Sequence, residues 1–213
     1  MSLITAGLLL VFAAAPCYAA LSGLTIIPTA DVLPPGHVCV DYLVYSPSPL
    51  GSGVQAAYLN TQCGIGNRAE VGIDFDFSED PATGAILNGK VVLRPMDTGL
   101  GLAAGVANAG ENLRPISYVV ATKPWSDRFR LHLGAQRTPD EDNQGFLAAD
   151  YAVTERVWIY GEYLSGEENA SAVTLYYQLT EEWGIGLALQ RPHDDESENS
   201  IVLDIGCVRP PFE

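Results

Sequence analysis

The strongest constraint on this chain is a period of two. In 69–77, Ala69, Val71, Ile73, Phe75 and Phe77 alternate with Glu70, Gly72, Asp74 and Asp76. In 128–136, Phe129, Leu131, Leu133 and Ala135 alternate with Arg128, Arg130, His132 and Gln136. Successive side chains of a strand point to opposite faces, so each segment has an apolar side and a wet side. From Gly36 onward the pattern recurs in segments of about ten residues, with no helical periodicity longer than a turn or two. It predicts about twelve strands, over 37–45, 53–62, 68–77, 83–94, 99–108, 115–122, 128–137, 145–153, 157–164, 170–179, 183–191 and 200–208.

The connections between these strands fall into two kinds. Those after even-numbered strands are short, as in Gly64-Ile65-Gly66-Asn67 and Thr154-Glu155-Arg156, whereas those after odd-numbered strands are longer and acidic. Twelve of the 26 acidic residues fall on that second rim: Glu79, Asp80, Glu111, Asp140, Glu141, Asp142, Glu167, Glu168, Asp194, Asp195, Glu196 and Glu198. Tight turns at one end and long polar loops at the other are the pattern of a transmembrane barrel. Trp125, Trp158 and Trp183 all lie in or beside the short-turn end, where indoles of an interfacial aromatic girdle are expected.

One apolar face per strand fits two architectures. In a soluble barrel or sandwich the apolar face is interior, and the polar residues are solvated surface. In a membrane barrel the apolar face meets lipid, and Asp41, Glu70, Asp74, Asp76, Lys90, Arg128, Arg130, His132, Asp150, Glu162 and Asp204 line the lumen. Segment lengths near the roughly 9 to 11 residues needed to cross a bilayer, together with the unequal rims, favour the second. Closure would also remove the open edges on which sheets aggregate. The expected fold is therefore all-β, a closed antiparallel up-and-down barrel of transmembrane type.

Export agrees with that fold. The opening MSLITAGLLLVFAAAPCYAA has an apolar run from Leu3 to Ala15, with Cys17 and Ala19 placed for cleavage after Ala19, although no Lys or Arg precedes the run. It reads as a signal peptide over 1–19, too short for a spanning helix. A lead-in segment over 20–36 and a barrel domain over 37–213 follow. The expected location is a bacterial outer membrane, with its lipid and its assembly machinery as partners. The last strand departs from the usual aromatic ending, because Phe212 lies beyond Pro210-Pro211, which cannot continue a ladder.

Within the lead-in, Ser22-Gly23-Leu24-Thr25-Ile26-Ile27-Pro28-Thr29-Ala30-Asp31-Val32-Leu33-Pro34-Pro35-Gly36, followed by the first strand with Tyr42, resembles the opening of the YjbH-like outer-membrane barrel family. The resemblance covers about fifteen residues, a "GL…PTA…L…G" stretch before a run of hairpins, and the rest of the chain matches in style. It implies an association with exopolysaccharide production, envelope polysaccharide as a partner, and no catalytic residues. Read on its residues alone, the stretch is a proline-rich lead-in that turns at Pro34-Pro35-Gly36 and can tuck into the barrel mouth.

Other chemistry finds little support. A net charge of −15 opposes nucleic-acid binding. Cys39, Cys63 and Cys207 cannot all pair, so no disulfide scaffold or zinc site supports the fold. On the alternation, Cys39 and Cys63 share a face and a bond between them is open, while Cys39 and Cys207 fall on opposite faces. No phosphate loop or cofactor motif occurs, and 193–198 lacks the spacing of a calcium loop. A lipid-facing hydrolase would need a lipid-facing histidine near a serine with a third orienting group. His132 is on the wrong face, His37 opens a strand and His193 sits in an acidic loop, so no enzyme is expected. The leading expectation is a barrel with a structural, envelope-associated or narrow-channel role; the alternatives are a soluble barrel holding a small apolar ligand and, behind it, an outer-membrane hydrolase.

Overall fold

The computed structural model describes residues 22–47, 53–78, 84–139 and 142–207. The proposed signal peptide and Phe212 lie outside the described residues. Twelve strands are formed: β1 (Val38–Pro47), β2 (Ala56–Ile65), β3 (Ala69–Asp76), β4 (Ile86–Arg94), β5 (Gly101–Ala109), β6 (Ile116–Ser126), β7 (Phe129–Arg137), β8 (Gln144–Ala152), β9 (Val157–Leu164), β10 (Ala170–Gln178), β11 (Trp183–Pro192) and β12 (Ser200–Cys207). Each pairs antiparallel with its neighbours in sequence, and β12 returns to β1 with Leu43 opposite Asp204, so the sheet closes. One 3-10 turn, Met96–Thr98, links β4 to β5.

The alternation becomes the two faces of the barrel wall. On β3, Val71, Ile73 and Phe75 are exposed on the outside, while Asp74 is 1% exposed within. The outer belt continues through Val119, Leu133, Leu147, Val173, Leu175, Leu187 and Leu189, all large apolar residues open to the surroundings. Among the described residues no second sheet packs over them, because the wall is a single sheet closed on itself. So extended an apolar exterior, with charges sealed inside, is the inside-out arrangement of a membrane barrel and excludes the soluble alternative.

Two sequence expectations fail at the ends of strands. Arg128 is exposed in the β6–β7 turn rather than inward, since the ladder ends with Ser126 opposite Phe129 and the alternation does not extend past it. Trp158 is 4% exposed and faces inward. It shares the even-numbered inner face of β9 with Glu162 and Leu164 and packs edge-on to Tyr176, ring centroids 6.1 Å apart. Trp125 and Trp183 do stand outward, and Lys123 lies 5.7 Å over the Trp125 ring.

A third correction concerns the cysteines. In the β1–β2 ladder Val38, not Cys39, is opposite Cys63, and a one-residue offset reverses the face. Cys63 is free while Cys39 is disulfide-bonded, so the two are not joined to each other.

A candidate functional site: the occupied lumen

The lumen is partly occupied by the lead-in. Residues 22–36 fold into a compact loop inside the barrel, closed by a bridge between Gly23 and Pro28 and by the Leu24 N–H donating to the Ile27 carbonyl at 2.9 Å. The Thr29 hydroxyl donates to the Ser22 carbonyl at 2.6 Å and the Ser22 hydroxyl to the Asp31 carbonyl at 2.8 Å. Ile26, Ile27 and Ala30 are buried against Ile116, Tyr118, Phe146 and Leu164 of the wall, so the barrel has an apolar core beside the loop. This loop forms a plug.

Polar groups of the wall fix it from several sides. Three successive plug amides converge on one carboxylate: Thr25, Ile26 and Ile27 donate to Glu162 at 3.1, 2.7 and 3.0 Å. Such a run of N–H groups is an anion nest, and it meets the need of a carboxylate held away from water. Glu70 accepts the Ser22 N–H at 2.7 Å and the Leu33 N–H at 2.9 Å, together with the Ser22 hydroxyl. Lys90 pairs with Glu70 at 3.1 Å and donates to the Ser22 and Thr29 carbonyls at 2.8 and 3.1 Å. Thr174 meets the Thr25 hydroxyl.

A second group holds the other flank. Arg130 grips Asp150 through Nε at 2.9 Å and Nη2 at 2.6 Å, and its Nη1 reaches Asp31 of the plug at 2.9 Å. The Thr122 hydroxyl accepts the Ala30 N–H at 2.9 Å and lies 2.9 Å from His132 Nδ1, while His132 Nε2 lies 3.1 Å from Asp150. Thr122, His132 and Asp150 have the outline of a nucleophile, base and acid. All three are buried under the plug, and the threonine hydroxyl is engaged by Ala30, so they serve to hold the segment.

The predicted lumen residues thus separate. Glu70, Lys90, Arg130, His132, Asp150 and Glu162 are brought together around the plug. Asp41, Asp74, Asp76 and Asp204 also lie on the inner face but stand apart from that set. Asp74 accepts from Asn88 Nδ2 at 2.7 Å, and Asp76 caps Ser78 at the long-loop rim. Sequence reasoning missed Thr122 and Thr174, uncharged residues whose inward phase was the only available signal. A cavity of about 860 Å³ remains between the plug and the wall toward the short-turn end, bordered by Asp41, Tyr160, Tyr176, Asp204 and the turn residues Glu181 and Glu182.

Apolar belt, closed wall and charged interior define a transmembrane β-barrel whose lumen is occupied by its own N-terminal segment. No family model and no curated protein matches the chain. Solved structures do. The chain is similar to the KdgM porin at 12% identity, covering 80% of this chain and 99% of that one with a TM-score of 0.62. It is similar to the NanC porin at 11% identity, covering 81% and 100% with a TM-score of 0.57. An outer membrane channel from Pseudomonas putida F1 matches at 13% identity, covering 84% and 98% with a TM-score of 0.53. The fold is that of bacterial outer-membrane barrels of the porin and channel type.

Proposed function

We propose that this protein is an outer-membrane barrel of narrow-channel type, held closed at rest by the segment 22–36. One observation carries the reading: six inward ionisable residues from five strands are spent on fixing that segment or on holding the residues that fix it. A merely solvated lumen would not require its charges to converge on a single loop. The cavity beside the plug supplies a partial path from the short-turn end, and displacement of the plug would open the remainder.

The interior charge argues about the solute. Asp41, Glu70, Asp74, Asp150, Glu162 and Asp204 outnumber Lys90 and Arg130 on the inner face, and the long-loop rim is acidic as well. Such a field disfavours polyanions. One solved KdgM porin structure, described as a complex with disordered oligogalacturonate, is similar at 10% identity with a TM-score of 0.63 over 80% of this chain. A polycarboxylate of that kind does not suit the acidic interior of this chain, which favours cationic or neutral solutes.

A second reading has its own support. The residues that carry the resemblance to the YjbH-like family are those of the plug itself, so the resemblance falls on the segment that occupies the lumen. An envelope role linked to exported polysaccharide follows if the plug never leaves. Planar-bilayer recording of the refolded full chain, beside a variant lacking 22–33, separates the two. Unitary conductance that rises in the variant supports the channel; two silent proteins, both with intact barrels, reject it and leave the envelope role.

A further inference from the structure

The outer surface carries a second constellation, unrelated to the plug. Ser171 stands near the start of β10, in phase with the lipid-facing Val173, Leu175 and Tyr177, and at the long-loop edge of the apolar belt. His193, in the β11–β12 loop, folds back over it. The serine Oγ is 2.9 Å from His193 Nε2, and His193 Nδ1 is 3.0 Å from the Gly166 carbonyl oxygen. Tyr163, opposite Ser171 on β9, stacks on the imidazole with ring centroids 5.0 Å apart and planes 29° from parallel.

The partners determine the tautomer. A carbonyl oxygen only accepts, so the neutral ring carries its proton on Nδ1. Nε2 then holds a lone pair and can only accept the Ser171 O–H. That is the arrangement of a nucleophile hydrogen-bonded to its general base, with a third group orienting the base. The histidine is held from behind as well: its backbone N–H donates to the Asn169 carbonyl at 2.8 Å, and Asp194 fixes the rest of the loop by accepting the Glu196 and Ser197 backbone N–H groups at 2.9 and 2.6 Å. Arg191, exposed, stands opposite Ser171 across the β10–β11 ladder and adds a cation at the headgroup level.

We propose that Ser171 and His193 form an acyl-ester hydrolase site on the membrane-facing surface, acting on lipid esters whose chains lie along the apolar column below. The Ser171 oxygen attacks the ester carbonyl carbon while His193 Nε2 takes the hydroxyl proton. His193 returns that proton to the departing alkoxide as the carbon–oxygen bond breaks, leaving an acyl-serine and a free alcohol. Water then attacks the acyl-serine, giving its proton to His193. The carboxylic acid is released and the proton returns to Ser171, so the sum is ester plus water to acid plus alcohol. The proposal rests on the lipid-facing orientation of this surface and is independent of whether the lumen conducts.

The test uses the refolded full chain in detergent micelles, treated with an alkyl fluorophosphonate and assayed on 4-nitrophenyl laurate. Mass spectrometry is expected to place the phosphonyl group on Ser171, with laurate hydrolysis lost in Ser171→Ala and lowered about a hundredfold in His193→Gln. Heat-dependent gel migration checks that each variant keeps its barrel, and His193→Gln retains a donor toward Gly166. A folded protein unmodified at Ser171 overturns the proposal. So does labelling of equal rate in His193→Gln, or labelling without ester hydrolysis.

Discussion

The Glu162 carboxylate accepts the backbone N–H of Ile26 at 2.7 Å, joining the middle of the barrel wall to a residue 136 positions earlier in the chain. The same carboxylate takes the N–H groups on either side, so one side chain caps a whole turn of the plug. Its replacement by glutamine turns one accepting oxygen into a donor that faces other donors. Glu162→Gln is expected to weaken plug seating by roughly 1–3 kcal/mol while leaving the barrel closed. Limited proteolysis should then cut within 22–36 faster than in the parent, with unchanged heat-dependent gel migration; equal cutting rates would contradict the role given to Glu162.

Lys90 and Glu70 form an ion pair with both side chains fully buried. Removing one partner leaves an uncompensated charge in a place that water does not reach. Lys90→Met is expected to lower stability by about 3–5 kcal/mol, read as a shift of the urea midpoint in micelles. The double variant Lys90→Met with Glu70→Gln should recover much of that loss, because no bare charge remains. A double variant as unstable as the single one would refute the electrostatic account.

Gly64 marks where the chain leaves the plug for β1. A side-chain carbon there would lie 2.2 Å from the Pro34 carbonyl oxygen and 2.4 Å from that of Leu33, and these are backbone atoms that cannot swing aside. Gly64→Ala should therefore displace the lead-in and lower thermal stability by several degrees, on the order of 1–3 kcal/mol. Gly161→Ala, with nothing within 4 Å of the added carbon, is the matched control and should be silent. Equal melting of the two variants would show that the lead-in does not cross Gly64.

The outward face makes its own prediction. Leu133 is 62% exposed in the middle of the belt, so Leu133→Arg is expected to cost about 2–4 kcal/mol in a bilayer. Cysteines placed at Phe75 and Asp74 report the faces directly. In refolded proteoliposomes the Phe75 position should react with a membrane-soluble maleimide, and the buried Asp74 position should not. The reverse pattern would invert the barrel.

Much of this fold was legible because a strand writes its environment at the shortest possible range. Val71, Ile73 and Phe75 against Glu70 and Asp74 gave the two faces of β3 with no knowledge of its neighbours, and the twelve predicted segments each overlap an observed strand. The reading failed where local pattern meets an end. Arg128 continued the alternation of β7 on paper but sits in the turn, and Trp158 was placed by its closeness to a turn when its phase already pointed it inward. Cys39 and Cys63 were assigned to one face, and the ladder puts them on opposite faces, because the register between two strands is set by their pairing, which neither strand encodes alone.

The candidate sites were less legible still. His193 was dismissed as a loop residue, and only the return of the β11–β12 loop across β10 brings it to Ser171, 22 positions away. The sequence by itself determined that each strand would carry one apolar and one polar face, because side-chain direction along a strand is a local property with a period of two, while strand lengths and unequal rims only favoured turning the apolar face outward. The tertiary structure alone decided what fills the enclosure. Whether Glu162, Glu70 and Lys90 face water, each other or a loop depends on which distant backbone amides arrive inside the closed barrel, and that is a matter of closure and chain path rather than of local pattern.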